Sequence, residues 1–368
     1  MSKAAELAKA GETLTNQPSG RKNLVTNGAM QVAQRSASVT GIGAAAGYFT
    51  LDRWRLTQST SAGRLTMTQT ADGPSGLANC LKLDCTTADT DIAAAENLVL
   101  QQKFEGQELQ QIKKGTSDAE LITVSFYVKA NAVFTFGCEL FDQDNTRQIT
   151  KLFATTTDWV KHSITFPADT TGAYDDDNAN SFDLNFWLHA GATWAGGTLN
   201  TAAWASSTNA NRAAGVSSFY SSTNNNFFIT GVQMEIGSQA TNFEHRSFGE
   251  ELALCQRYFE IHTTLVDFHM LAMAQAISST QARFFMPFLV TKRAAPTATF
   301  SASGTFTAVT ADGSNAGAAT AIAAETSDIN GLRGVLTVGS GLSAGDGSLL
   351  QMLGSQDSAA TVKLDAEL

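Results

Sequence analysis

The sequence is poor in charged residues, which make up 16% of its 368 positions, against about a quarter in an average globular protein. Its 24 Lys and Arg residues are outnumbered by 34 Asp and Glu, and no basic cluster is denser than pairs such as Arg21-Lys22 and Lys113-Lys114. A protein with a net charge of -10 and no basic patch is poorly suited to bind the negatively charged phosphate backbone of a nucleic acid. Nucleic acid is therefore not an expected partner.

Long apolar runs are also missing. No segment approaches the roughly eighteen consecutive apolar residues of a membrane-spanning helix, and the N-terminal region lacks the apolar stretch of a secretory signal. We therefore expect a soluble chain with no membrane insertion. Because 43% of the residues are hydrophobic and 22 of them are Phe, the chain has ample material for more than one core, and disorder is excluded.

Cysteine is scarce, with four residues at Cys80, Cys85, Cys138 and Cys255. They are too few and too scattered for a disulfide scaffold, and no pair has the Cys-x-x-Cys spacing of a zinc site. Cys80 and Cys85 are an odd number apart in one predicted strand, so they would point to opposite faces. Free, buried thiols are the prediction.

Alternation with a period of two dominates the chain after Asn23. The clearest example is 121–129, where one face would carry Ile122, Val124, Phe126 and Val128. Similar runs occur at 48–57, 64–69, 78–86, 96–104, 134–140, 147–154, 159–166, 182–188 and 228–236. About ten such strands without alternating helices predict an all-β fold, a β-sandwich of the jelly-roll kind.

The remaining segments divide the chain into four parts. Residues 1–22 form a leader whose first turns could be helical, and 23–246 form the jelly roll, with a short helix at 105–112 and a long polar insertion at 190–226. Ser247 followed by Glu250 is a capping box that predicts a linking helix at 247–257. Short alternating segments then predict a second, smaller β-domain at 258–368.

One predicted strand carries a candidate binding face. In 182–190 the side opposite the core would present Asp183, Asn185, Trp187 and His189, and the outward face of 121–129 adds Tyr127. Aromatic rings beside Asn, Asp and His side chains suit a sugar, because its apolar C–H face stacks on the ring while polar groups bond its hydroxyls. The alternative is that the insertion at 190–226, or another subunit, covers these side chains.

No catalytic or metal-binding pattern is recognisable. The five histidines lack metal-ligand spacing, and no nucleophile elbow, P-loop or dinucleotide motif appears in context. Asp175-Asp176-Asp177 would be a calcium loop or a carboxylate pair in a hydrolase, but a solvated turn is favoured. Asp52-Arg53-Trp54 is predicted as an internal ion pair with a packed indole in mid-strand. We expect no enzyme activity, no cofactor and no metal.

Three long segments are distinctive, namely NLVTNGAMQVAQR from Asn23, YFTLDRWRL from Tyr48 and FFITGVQMEIGSQATNFEHRSFGEELALCQRYFE from Phe227. They resemble segments of the tail-fibre and related virion proteins of bacteriophages, particularly marine ones. The resemblance spans most of 23–368 and implies a jelly roll similar to carbohydrate-binding modules, on a fibre that is usually a homotrimer. Such modules often bind calcium at the opening strand, which Asn27-Gly28 resembles, but Ala29-Met30-Gln31 depart from the acidic-aromatic continuation.

The resemblance implies a virion protein made in the host cytoplasm and mounted as a tail fibre. Residues 1–22 would dock on another virion protein, and the β-domains would meet a host cell-surface glycan, with three sites in a trimer adding avidity. The main alternative is a capsid-attached head fibre or decoration protein that reads no sugar. A glycan depolymerase is the third possibility, but the expected carboxylate pair and β-helix repeat are not recognisable in the sequence.

Overall fold

The computed structural model describes Lys3 and residues 21–263, 269–353 and 360–368, which fall into two compact units, Met1–Ser247 and Phe248–Leu368. The predicted leader at 1–22 lies outside the described residues except for Lys3, Arg21 and Lys22. The division of the sequence at 1–22, 23–246, 247–257 and 258–368 stays a prediction.

The first unit is a sandwich of two antiparallel sheets. Sheet A has the spatial order β1 (Ser38–Ile42), β4 (Arg64–Thr70), β5 (Cys80–Thr87), β13 (Asn226–Ile236), β7 (Ile122–Ala130), β10 (Val160–Phe166). Sheet B has the order β12 (Ala205–Ser206), β9 (Arg147–Ala154), β8 (Thr135–Asp142), β11 (Asn180–Ala190), β6 (Asn97–Glu105), β3 (Arg55–Ser59), β2 (Ala46–Tyr48). The architecture is the predicted jelly-roll β-sandwich.

Alternating apolar residues of both sheets meet in one core. Ile122, Val124, Phe126 and Val128 of β7 are all buried on its inner side, as predicted. Phe126 meets Phe186 of sheet B edge-on, with ring centroids 5.0 Å apart, so the two sheets interlock through aromatic rings. Truncating such a ring to Ala typically costs about 3–5 kcal/mol.

The sequence Asp52-Arg53-Trp54 was predicted to lie in mid-strand. In the structure it lies in the turn between β2 and β3. Arg53 adopts a left-handed conformation with φ of 69°, which ends the extended run and breaks the predicted strand in two. Asp52 accepts from Arg35 at 3.5 Å, and the fully buried Trp54 donates its indole N–H to the carbonyl of Asn27 at 3.1 Å. The packed indole is confirmed.

Short helical segments are few in the described residues. The helix predicted at 105–112 is two 3₁₀ turns, Gly106–Glu108 and Gln110–Ile112, with Leu109 and Ile112 buried as anchors. The insertion contains helix α1 (Ala192–Ala195) and 3₁₀ turns at Asn209–Asn211 and Phe219–Ser221. All four cysteines are buried and free, as predicted.

The second unit is also built from β-strands and begins with helix α2 (Phe248–Gln256). Sheet C has the order β14 (Phe259–Thr263), β23 (Thr361–Asp365), β17 (Thr297–Phe300). Sheet D has the order β19 (Asn315–Ala318), β18 (Phe306–Thr310), β22 (Gly347–Met352), β15 (His269–Ala276), β16 (Gln281–Pro287), β21 (Gly331–Thr337), β20 (Ala321–Ser327). Ser303–Thr305 forms a 3₁₀ turn. Residues of both sheets share a second apolar core.

Candidate functional site

A groove of about 170 Å³ lies on the outer face of sheet B, on the side away from the sandwich core. Strands β3, β6 and β11 form its floor, and the insertion at 190–226 forms one wall. Most of the residues that line it are of polar types, and two are tryptophans: Arg55, Thr57, Asn97, Val99, Gln101, Gln143, Asp183, Asn185, Trp187, Trp194 and Arg212. We call this the sheet B groove.

Three of the five predicted site residues line the sheet B groove. Asp183, Asn185 and Trp187 follow one another at alternate positions of β11, so the pleat points all three to the outer face, as the sequence pattern predicted. Each is at least 96% buried, however. Trp194 and Arg212 of the insertion pack on Trp187, so the alternative of coverage by 190–226 is realised for that side chain.

An ion pair between Arg212 and Glu139 helps to hold the insertion against the sheet. Arg212 donates Nε to Oε1 and Nη2 to Oε2 of Glu139, both at 2.8 Å. The same carboxylate accepts from the indole N–H of Trp187 at 2.8 Å and from Asn185 Nδ2 at 2.9 Å. Burial lowers the pKa of Arg212, but the Glu139 carboxylate outweighs it and the pKa is raised. The guanidinium therefore stays charged and helps to hold the groove's wall in place.

Aromatic rings surround the Arg212 guanidinium. Its central carbon is 4.2 Å from the ring centroid of Phe141, 5.2 Å from that of Trp187 and 5.7 Å from that of Trp194. The two indoles are 5.6 Å apart and tilted by 42°. Because Arg212 and Trp194 cover much of Trp187, the half-buried Trp194 is the ring best placed to stack on a ligand.

On the side of the groove formed by β3 and β6, polar side chains that can form hydrogen bonds line the surface. Arg55 Nη1 donates to Thr57 Oγ1 at 2.6 Å and to Gln101 Oε1 at 2.8 Å, which fixes these side chains across β3 and β6. Within the part of the chain that the structure describes, the buried Oδ1 atoms of Asn185 and Asn97 have no hydrogen-bond partner. Buried acceptors of this kind are costly unless a donor reaches them, and a ligand hydroxyl is such a donor.

Asp183 lies at the same face with its carboxylate held by two amides. Asn180 Nδ2 donates to Oδ1 at 3.0 Å and Gln143 Nε2 donates to Oδ2 at 2.5 Å. Burial raises the pKa of Asp183, and nearby Lys103 and the two amide donors lower it by less. The carboxylate can accept further hydrogen bonds from a ligand when it is ionised.

His189 does not line the groove, which corrects the prediction. The register of β11 against β6 shifts between Trp187 and His189, so the alternation is interrupted there. His189 is fully buried, with Nδ1 2.9 Å from Ser218 Oγ and Nε2 3.1 Å from Glu96 Oε2. Burial lowers its pKa despite the Glu96 carboxylate. His189, in β11, therefore links Ser218 of the insertion to Glu96, the residue before β6.

Tyr127 is also separate from the other predicted residues. It lies in β7 of sheet A, where it pairs with Thr230 of β13 and Lys161 of β10, whereas the groove is on sheet B. The outer faces of the two sheets point away from each other across the core, so Tyr127 cannot share a site with Trp187. Alternation along one strand gives the face of a residue but not the sheet to which the strand belongs.

Trp194 and Arg212 are site residues that sequence reasoning missed. A usable signal exists, because Arg212 is the only charged residue in the whole insertion at 190–226. A single charge in a long polar loop beside a β-strand indicates a partner of opposite sign. That partner is Glu139, which lies on the outer face of β8 in sheet B.

Three further features of the sequence have a structural counterpart. No group of three or more His, Cys, Asp or Glu side chains with metal-binding geometry occurs in the described ranges. Asp175, Asp176 and Asp177 are exposed, as expected for a solvated turn. In the described residues, no helix is both long and apolar enough to cross a membrane.

No family model matches the sequence. No curated protein is significantly similar to it. Solved structures similar to this chain include CBM4, at 12% identity over 58% of this chain and 99% of that chain, with a TM-score of 0.30. The family 11 carbohydrate-binding module of the cellulase Lic26A-Cel5E of Clostridium thermocellum has 13% identity over 56% and 99% of the two chains, with a TM-score of 0.27.

A phage protein is also among the similar structures. The enzymatically active domain of tailspike protein 4 of bacteriophage CBA120 has 13% identity over 58% of this chain and 21% of that chain, with a TM-score of 0.32. Similarities at this level carry no information about a ligand.

Proposed function

We propose that this chain is a non-enzymatic, glycan-binding component of a phage virion, a homotrimeric tail fibre that attaches to a host-surface glycan through the sheet B groove. The observation that carries the glycan part is the juxtaposition of the Trp194 ring with the unpartnered acceptors of Asn185 and Asn97. The resemblance of 23–368 to tail-fibre proteins supports the virion part.

A saccharide is the ligand that this lining fits best. An indole on one wall can stack on the C–H face of a pyranose, while Asn185, Asp183 and Gln101 accept or donate hydrogen bonds to its hydroxyls. The groove's volume of about 170 Å³ suits one sugar unit of a longer chain. A weak single site of this size gains strength when three copies engage one surface.

The proposal is tested by replacing Trp194 with Ala and measuring adsorption of the purified protein to host cells. Trp159→Ala is a matched control, since Trp159 is also half-buried but lies at the start of β10 in sheet A, packed on Phe228. We expect about a tenfold or greater loss of adsorption for Trp194→Ala, corresponding to about 1.4 kcal/mol or more, and none for Trp159→Ala. Equal adsorption by both variants would show that the sheet B groove does not bind the host glycan.

The second candidate is a capsid-attached head fibre or decoration protein without sugar recognition. It is favoured by the coverage of Trp187 by the insertion, which makes much of that face structural. Electron microscopy of intact particles distinguishes the two by the position of the protein. A depolymerase is tested by incubation with host polysaccharide, for which we expect no new reducing ends.

A further inference from the structure

The outer face of sheet D carries an unusual row of apolar side chains. Met273 of β15 is 77% exposed and pairs directly with Phe285 of β16, which is 57% exposed. On its other side Met273 pairs with Leu349 of β22, and Leu349 pairs with Val309 of β18. These four residues form one line across four adjacent strands, which we call the apolar row.

The apolar row is not part of the second unit's core. In β16 the side chains of Ala282, Phe284 and Met286 are buried, while those between them are exposed, so Phe285 points to the opposite face. An antiparallel sheet with one face on the core normally has polar residues on the other. In the row, Met273 and Phe285 are exposed and Leu349 and Val309 are half-buried. A contiguous, partly exposed apolar patch of this kind is typical of a surface that meets a partner.

Charges lie at one end of the apolar row. Beyond Phe285 the same face carries a cluster in which Arg283 and Arg333 both contact the Glu325 carboxylate, with N–O distances of 2.8 and 3.1 Å. The row itself contains no ionisable group. The face therefore combines an uncharged row with a rim, at the Phe285 end, that carries both signs of charge.

We propose that the apolar row is the contact surface between copies of this chain and lies along their rotation axis, so that its occupant is the same row of the other copies. Side chains that lie close to a rotation axis meet their own copies, and a charge there would face a like charge. The uncharged row meets this requirement. The rim, with two guanidinium groups and one carboxylate, can offer each neighbour a partner of opposite sign.

At strand spacings of about 4.8 Å the apolar row is about 14 Å long. It can therefore supply only part of the apolar centre of an interface of about 800 Å² per partner, and the polar side chains around it would supply the rest. The inference rests on the homotrimer in the proposed function and names the surface that holds it together.

The test is cross-linking of Met273→Cys by a short bismaleimide, read as covalently joined chains on a denaturing gel. The four native cysteines are buried, so the introduced thiol is the accessible one. Val133→Cys is the matched control, because Val133 is 72% exposed but lies in the first unit. We expect most Met273→Cys chains to be joined and Val133→Cys chains to remain single.

A second measurement is the mass in solution of the double variant Met273→Glu/Phe285→Glu, with circular dichroism as a check of folding. We expect the mass to fall to that of one chain. If the unaltered protein is a multimer, but Met273→Cys does not cross-link and the double variant keeps its mass, the row is not the contact. If the unaltered protein is a single chain, both this inference and the homotrimer are wrong, whereas glycan binding is judged separately by the Trp194→Ala variant.

Discussion

Arg212 and Glu139 form a two-point ion pair beneath the sheet B groove, with both N–O distances 2.8 Å. Glu139 is fully buried in β8, and Arg212 comes from the insertion. The pair joins a long loop, which has little regular structure of its own, to the rigid sheet. Arg212 also lies against the Trp194 ring, so the pair contributes to the shape of the candidate site, together with the other contacts of the loop, such as His189 with Ser218.

Removing Arg212 should therefore destabilise the first unit. Arg212→Ala leaves the Glu139 carboxylate buried and unpaired, and we expect a loss of about 3–5 kcal/mol in the free energy of unfolding, measured by urea denaturation. The double variant Arg212→Ala/Glu139→Gln removes the unpaired charge and should recover part of that loss. Unchanged stability of Arg212→Ala would contradict the role given to this pair.

Stability should fall in mild acid because of His189. Its pKa is lowered in the folded protein by burial, so the folded state favours the neutral ring. Above the unfolded pKa of about 6.5 the contribution is fully present, and it is lost as the pH falls below that value toward the folded pKa. Urea midpoints measured from about pH 7.5 to pH 5 should decline less for His189→Gln than for the unaltered protein. Parallel declines would argue against this assignment.

The cysteines should be unreactive in the folded protein. Burial raises the pKa of Cys80 and Cys85 to about 11, and it also raises that of Cys138. Because the thiolate is the reactive form, we expect negligible labelling by a thiol-specific chromogenic reagent near pH 8 and four thiols after denaturation. Fewer than four in the denatured, unreduced chain would indicate a disulfide that the structure does not contain.

Two glycines should respond in opposite ways to replacement by Ala. A Cβ at Gly28 would lie 2.1 Å from the carbonyl oxygen of Val232, a backbone atom that cannot move alone, so Gly28→Ala should cost about 1–3 kcal/mol or more. Gly249 in α2 has open space around it, and Gly249→Ala should gain about 0.5–1 kcal/mol. Thermal unfolding of the two variants measures this, and equal shifts in Tm would show that the packing at Gly28 is not as described.

The strands were predictable from the sequence because each has one buried and one outer face. β7, β9, β11 and β13 start or end within two residues of the predicted runs, and Asp183, Asn185 and Trp187 were placed on the correct face. Periodicity along a strand is a local property, and it survives wherever the strand is regular.

Long-range pairing was not predictable in the same way. Tyr127 was assigned to the wrong site because alternation does not show which sheet contains a strand. His189 was assigned to the wrong face because a register shift within β11 leaves no local signal in the sequence. The split of 48–57 depends on Arg53 adopting a left-handed conformation, which is uncommon for a residue other than glycine.

Glycan binding in the sheet B groove can be followed by fluorine NMR of the chain labelled with 5-fluorotryptophan, titrated with oligosaccharides released from the host surface. The chain has five tryptophans, and single Trp→Phe variants assign their signals. We expect the signals of Trp194 and Trp187 to shift in a saturable way, while that of Trp159 on sheet A stays unchanged. A saturable shift of Trp159 alone, or no shift at any concentration, would contradict glycan binding in this groove.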